Sequence, residues 1–475
     1  MIRALTIVPL ALVLGLIAGA LGAARLDHAQ LWGLILLTAL LLIAPLVSDL
    51  HNGKFDLFNL RNAFLLFLFM QFVVWPISAF TGVYQREPFF PFPITFMDLR
   101  YRACVQGMYA VVLSILAFHT GYYFKVLPQR NRASRPPRVW SSGRLVACAG
   151  ALTAIGMIAF FFLTRNLGLQ YFILHIDEFR NKNLLGAGYL TSMMSLMAVA
   201  SGALTCRYYE NRSLPWFVYS YSAVAVVILL LGANRHAAVT AIVFWLVARH
   251  YMVKRFHLSA RTIALVLVLW LLNVSYVYFR RYGGFSELSG VTAGRVLFLT
   301  IPRFTGAESL ARVVDFTQVQ GFHGGEHLLS DLVFGWVPRV LWAGKPLSAG
   351  LVANTTFFPD VFRGGETGAA VPTLIGELYW IGGIWVVVAG MWCLGRFCRI
   401  CYRRLERGTD ANAVFLYGLQ FMFAFFVNET LSLHLFRFLF QLAAAFVLLR
   451  LIQSRRSRSN TALRWQILAV PAPGV

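Results

Sequence analysis

Apolar runs of about 17–22 residues recur along almost the whole chain, broken by short polar stretches, and their length decides the class of fold. A run of that size, wound as a helix rising 1.5 Å per residue, matches a hydrocarbon core about 30 Å thick. Twelve such runs are read near residues 5–23, 31–48, 62–80, 104–123, 145–163, 187–205, 214–232, 236–252, 262–279, 371–395, 411–427 and 434–452. Composition agrees: 59% of residues are hydrophobic and 13% charged, against roughly 25% charged in soluble domains. The expected fold is all-α, a polytopic membrane bundle of about 12 helices. The first run follows Arg3 and ends in small residues, as a signal peptide would. A second run begins soon after it and many follow, so an uncleaved first span is expected.

The formal net charge of +23 would point a soluble chain toward nucleic acid. Placing the N-terminus inside puts about 25 of the 42 Lys and Arg on the inner side, with only about 5 of the 19 acids. The basicity then follows the positive-inside rule, and no nucleic-acid partner is implied. One cluster holds Lys125, Arg130, Arg132, Arg135, Arg138 and Arg144, and a second Arg249, Lys254, Arg255 and Arg261. Arg396, Arg399, Arg403, Arg404 and Arg407 form a third, and Arg455, Arg456 and Arg458 a fourth. Even numbers of spans separate them, so both termini are expected in the cytoplasm. The chain thus divides into nine spans over 1–279, a large outer loop over 280–370, three spans over 371–452 and a basic tail over 453–475. Cys398 and Cys401 form a lone C-x-x-C without two further ligands nearby, and read as membrane-proximal thiols.

Polar groups on the outer side gather at four places. Arg165, Asp177, Glu178, Arg180 and Lys182 precede Gly186-Ala-Gly188. Gly232-Ala-Asn-Arg-His236 joins two spans, and Arg235 there reads either as a snorkelling anchor or as a planar fork for a phosphate. His236 alone reads as a satisfied interfacial histidine. Asn428-Glu-Thr-Leu-Ser-Leu-His434-Leu-Phe-Arg437 closes the last outer turn. The fourth place is the loop over 280–370, nearly neutral with eight Lys and Arg and seven Asp and Glu. Within it, Leu310, Val313 and Val314 space as the apolar face of a short helix lying on the membrane. His323, Glu326 and His327 form H-x-x-E-H, but Gly324 and Gly325 argue for a turn rather than a metal-binding helix. Trp336 to Pro346 differs in kind. Two prolines fix the backbone, Trp336 and Trp342 suit an interface, and Arg339 and Lys345 lie between them. Glu377 follows about six residues into the next apolar run, where a carboxylate is costly unless paired or functional. Pairing with an Arg and a role as base both stay open.

These stretches resemble Wzy-type O-antigen polymerases, the oligosaccharide repeat-unit polymerases of bacterial inner membranes. The resemblance rests on Pro338-Arg-Val-Leu-Trp-Ala-Gly-Lys-Pro346, Pro372-Thr-Leu-Ile-Gly-Glu-Leu-Tyr379, Gly232-Ala-Asn-Arg235 and the Arg180 loop. Span number and one large late outer loop also fit it. The resemblance implies a GT-C-type glycosyltransferase of the bacterial inner membrane that polymerises undecaprenyl-diphosphate-linked repeat units at the periplasmic face. It implies cations for the departing diphosphate: Arg339 and Lys345, then Arg235 and Arg180. It implies a base or positioning carboxylate, Glu377, with Asp331 and Glu366 in reserve and Arg363 and His323 as further candidates. No nucleotide-sugar motif and no D-x-D is present, so no cofactor and no dedicated metal are expected. The expected partners are the lipid-linked oligosaccharide, the membrane and a chain-length regulator. An O-antigen ligase, a transporter or flippase of lipid-linked sugars, and a nonenzymatic assembly subunit are the alternatives.

Overall fold

The computed structural model describes residues 28–80, 100–124, 139–165, 188–212, 215–232, 234–256, 306–335, 349–357 and 372–454, with scattered positions between 264 and 275 and between 337 and 346. The described chain is helical. Its helices are α1 (Ala29–His51), α2 (Leu60–Phe69), α3 (Trp75–Phe80), α4 (Tyr101–Tyr123), α5 (Ser142–Thr164), α6 (Gly188–Met194), α7 (Leu196–Asn211), α8 (Pro215–Leu231) and α9 (Arg235–Met252). After them come α10 (Gly306–Gln320), α11 (Glu326–Phe334), α12 (Ala349–Phe357), α13 (Leu374–Glu406), α14 (Ala411–Phe426) and α15 (Leu431–Ile452). A π-helical turn, Met70–Val74, joins α2 to α3. The strands described are β1 (Val139–Trp140) and β2 (Gln453–Ser454), an antiparallel ladder tying the start of α5 to the end of α15.

Among the described residues, seven helical segments are long and apolar enough to cross a membrane: Ala29–His51, Leu60–Ile77, Tyr101–Tyr123, Ser142–Thr164, Tyr189–Asn211, Leu374–Glu406 and Leu431–Ile452. Pro215–Leu231 and Ala411–Phe426 are apolar but shorter. Arg235–Met252, with Arg at one end and Arg249 and His250 at the other, is in neither set. The first run read from the sequence, 5–23, lies outside the described residues, and the ninth, 262–279, is described at a few helical positions only.

Local chemistry sets where the helices start. Asn59, Asn234, Thr373 and Asp410 each accept a backbone N–H of the first turn of α2, α9, α13 and α14, as N-caps do. Small residues set how closely the helices pack. A methyl group on Gly121 of α4 would stand 2.1 Å from the Trp392 carbonyl oxygen of α13, and one on Gly395 would stand 2.1 Å from that of Phe118. The Phe244 ring of α9 lies between Gly202 of α7 and Gly418 of α14, with no room for a methyl on either.

The helix expected around Ser309–Phe316 forms, but it does not lie on a surface. α10 packs into the bundle against α4 and α13, burying Leu310, Val313 and Val314 and also Glu308 and Ser309. Gly107 of α4 leaves the space that Leu310 fills. Helix α13 breaks at Gly382 and Gly383, the latter at φ +68° with the Phe322 ring where a side chain would be. The carbonyls freed there are not left open: Trp380 O accepts from His323 N at 2.9 Å and Ile381 O from Gly324 N at 3.1 Å. The turn through Gly321, Gly324 and Gly325 therefore plugs the break.

The helix ends sort into two sets. At one end Asp56 accepts from Phe58 N, Tyr251 Oη and Tyr402 Oη, with His250 Nε2 at 3.1 Å. Arg399, Arg403 and Arg404 of α13 and Arg249 of α9 lie on the helix ends that meet there. At the other end, Asn428 O accepts from Gln71 Nε2 of the π-turn and from Leu374 N. Helices α10, α11 and α12 pack around that second, loop-rich end.

Candidate functional site

The turn between α14 and α15 is pinned on both sides of Glu429. Before it, the Asn428 carbonyl holds Gln71 and Leu374. After it, Thr430 Oγ1, Leu431 N and Ser432 N all donate to the Glu377 carboxylate, at 2.9, 2.6 and 3.1 Å. Glu377 is 2% exposed and sits in the first turn of α13, so its charge meets the N-terminus of α15. A carboxylate at a helix N-terminus satisfies amide donors that the helix cannot. The partner of Glu377 is thus backbone and hydroxyl rather than an Arg, and its effect is to fix the start of α15.

That helix start carries His434 and Arg437 on one face, three residues apart. They line a cleft together with Thr191, Ser192 and Ser195 at the α6–α7 junction and with Asn234, His236 and Thr240 of α9. Phe426 and Gln441 close its sides. Asn234 fixes the α9 wall by donating to Thr191 O at 2.6 Å while capping α9. Glu429 Oε2 stands 3.6 Å from His236 Nε2 and 3.5 Å from His434 Nε2. The Phe426 ring packs edge-on to His236 and stacks on His434. His434 is 5% exposed, whereas His236 and Glu429 are about one-third exposed. Two imidazoles and a guanidinium therefore line one partly open cavity, and the Glu429 carboxylate stands against both imidazoles. Such a set can bind an anion and offers groups that accept or donate a proton.

The residues singled out from the sequence fall into three groups. Arg180, Arg339, Arg363 and Glu366 lie outside the described residues, as does the side chain of Arg235, whose backbone opens α9 beside His236. Lys345 donates to Val337 O at 2.8 Å, folding the cation back over its own loop. The foot of that loop rests on α15, where Gly335 packs on the Phe436 ring. Asp331 is half-buried on α11, where its carbonyl receives Gly335 N. His323 is brought to His327, their Nε2 atoms in contact, and both rings lie against Trp380. Burial pushes the His327 imidazole below its ordinary value, with His323 beside it adding to the effect. The turn expected there forms, and it joins the two imidazoles even though His323 precedes the helix.

The sequence reading marked the last outer turn but put none of Glu429, His434 or Arg437 in the site. The i, i+3 spacing of His434 and Arg437 at the start of an apolar helix, with Glu429 just before it, was the available signal. His236 lacked even that, because its neighbours come from segments far away in sequence. Comparison with protein-family models, with curated proteins and with solved structures finds no match.

Proposed function

We propose that the chain is a membrane-embedded transferase that polymerises oligosaccharide units carried on a polyprenyl diphosphate, and that it works in the cleft beside Glu429. The single observation that carries this reading is one cavity lined by Arg437, His236 and His434, with Glu429 against both imidazoles, beside the helix α15 that also bears the foot of the loop whose Pro338–Pro346 run resembles the polymerases. The reaction needs a cationic seat for a diphosphate that leaves with the bonding electron pair. Arg437 lines the cleft, and the N-terminus of α9 opens onto it at Arg235, so both suit that seat. The acceptor sugar hydroxyl attacks the anomeric carbon of the donor, the carbon–oxygen bond to the diphosphate breaks, and the hydroxyl proton passes to the Glu429 carboxylate. Glu377 acts as a positioning residue, since it holds the helix that carries His434 and Arg437.

A transporter of the same lipid-linked sugars is the second reading, because a broken helix such as α13 is a device of transporters. In transporters the freed carbonyls face substrate or ions. Here the 321–325 turn occupies them, which favours the transferase.

The test is deletion of the gene and complementation with Arg437→Ala or Glu429→Gln, read on a polysaccharide gel with the protein quantified in the membrane. Long chains are expected to vanish and a single repeat unit to remain on the acceptor. Normal ladders in both variants sink the proposed site. Bare acceptor in the deletion strain points instead to a ligase or to a transporter, and trapped units on the inner leaflet separate those two.

A further inference from the structure

Among the described residues, His236, Glu429 and His434 form a group whose ligand atoms all lie within 4.8 Å of one another. The distances are informative in themselves. The Glu429 Oε2 contacts, 3.6 and 3.5 Å, are long for hydrogen bonds. Two ligand atoms each about 2.0–2.1 Å from a tetrahedral ion stand about 3.3 Å apart, close to what is seen. His434 Nε2 is buried and makes no hydrogen bond, and it points at the same carboxylate oxygen that His236 Nε2 points at. Three separate anchors hold the donors in this array: the Asn234 cap for His236, the Asn428 bonds for Glu429 and the Glu377 bonds for His434.

We propose that His236, Glu429 and His434 bind a divalent transition-metal ion of the zinc class, with its fourth position open to the cleft. Two imidazoles and one carboxylate suit zinc better than magnesium or calcium, which favour all-oxygen sets. The fourth position faces a cavity lined by Thr191, Ser192, Thr240 and Arg437. The Arg437 charge disfavours a bare cation there but favours the cation together with an anionic fourth ligand, such as a phosphate oxygen. That the ion assists transfer rests on the proposed function; that it binds does not. His323 and His327, the other converging imidazoles, bring only two ligands, and the Glu326 side chain between them is exposed.

The test uses the full-length protein in detergent, stripped with a chelator and titrated with Co²⁺ alone. A saturable tetrahedral Co²⁺ absorption at one equivalent per chain is expected, displaced by Zn²⁺. Affinity should fall on the order of 100-fold or more in His434→Ala and Glu429→Gln, each checked for a monodisperse elution profile. It should be unchanged in His323→Ala and His327→Ala. The proposal is overturned if the wild-type protein gives no saturable spectrum. It is equally overturned if the spectrum survives in His434→Ala and disappears in His323→Ala. A protein that binds Co²⁺ while Glu429→Gln leaves polysaccharide ladders normal keeps the metal site and loses the transferase. Lost ladders without any Co²⁺ spectrum give the reverse.

Discussion

The two ends of the bundle each hold a carboxylate beside histidine, and they are built differently. At the basic end, Asp56 Oδ1 takes Phe58 N at 3.0 Å and Oδ2 takes the hydroxyls of Tyr251 and Tyr402 at 2.9 and 2.8 Å. His250 stands 3.1 Å away, and its Nδ1 accepts from Phe256 N, which leaves the proton on the nitrogen facing Asp56. Burial raises the Asp56 carboxyl, but His250, Tyr402 and Tyr251 outweigh it and hold the group below its ordinary value. At the loop-rich end, Glu429 and its two imidazoles are held by their neighbours at distances too long to satisfy one another. A buried carboxylate held by a backbone amide and two hydroxyls is structure. A carboxylate one-third exposed beside two imidazoles at a cleft is placed where a ligand can also reach it.

The sharpest way to break this distinction is to remove each acid and compare. Asp56→Ala strands two hydroxyls, a backbone N–H and a buried imidazole, a kind of loss that costs about 3–5 kcal/mol. The variant is expected to fall well below the wild type in thermal midpoint in detergent and to be depleted from membranes. Glu429→Gln should stay within about 1 kcal/mol of wild type while losing the long-chain product. Equal losses of stability in the two would erase the contrast.

Glu377 sharpens it from the middle, as a buried carboxylate that positions the helix carrying His434 and Arg437. Glu377→Ala leaves three donors at the start of α15 without their acceptor, and hydrogen bonds to a charged group are worth about 1.5–3 kcal/mol each. At 2% exposure little water can replace the carboxylate, so the expected loss is of the same size as that of Asp56→Ala. Glu377→Gln keeps an acceptor oxygen, so it should recover part of the midpoint and give shortened ladders rather than none. If Glu377→Gln abolishes product at an unchanged midpoint, the carboxylate acts directly on substrate and its positioning role is wrong.

What could be read from the sequence follows from the range of the interactions involved. Helical class and membrane character are local, because apolar run length and N-capping residues such as Asn59 and Asp410 lie within a few residues of what they determine. The cost of Glu377 was also legible, since one acid in Leu-Ile-Gly-Glu-Leu is anomalous by itself. Its partner was not, because Thr430 and Ser432 lie more than fifty residues away and carry no charge to advertise the pairing. The burial of α10 was hidden for a similar reason. Its apolar stripe is equally consistent with a bilayer surface, and only Gly107 on α4 shows where Leu310 goes. The cleft draws on α6, α9, α14 and α15, so no single stretch of sequence contains it.

Glu308 offers the smallest test, as an acid that is half paired. Its Oε1 takes both Nε and Nη2 of Arg312, at 3.1 and 3.0 Å, while Oε2 is buried without a hydrogen bond. Burial pushes the carboxyl up to about 7 from its ordinary 4.5, against the pull of Arg312. A raised carboxyl destabilises the folded chain only where the unfolded chain has already lost the proton. Below about pH 4.5 both states hold it and nothing is lost; between about 4.5 and about 7 the unfolded chain releases it first, so stability falls as pH rises; above that the loss is complete. The wild-type thermal midpoint should therefore drop by a few degrees between about pH 5 and about pH 8. Glu308→Gln, which keeps an acceptor for Arg312 and has no proton to lose, should flatten that slope and exceed the wild type only at the higher pH. A Glu308→Gln slope as steep as the wild type's would mean that the pH dependence belongs to another group and that Glu308 is not the source of the loss.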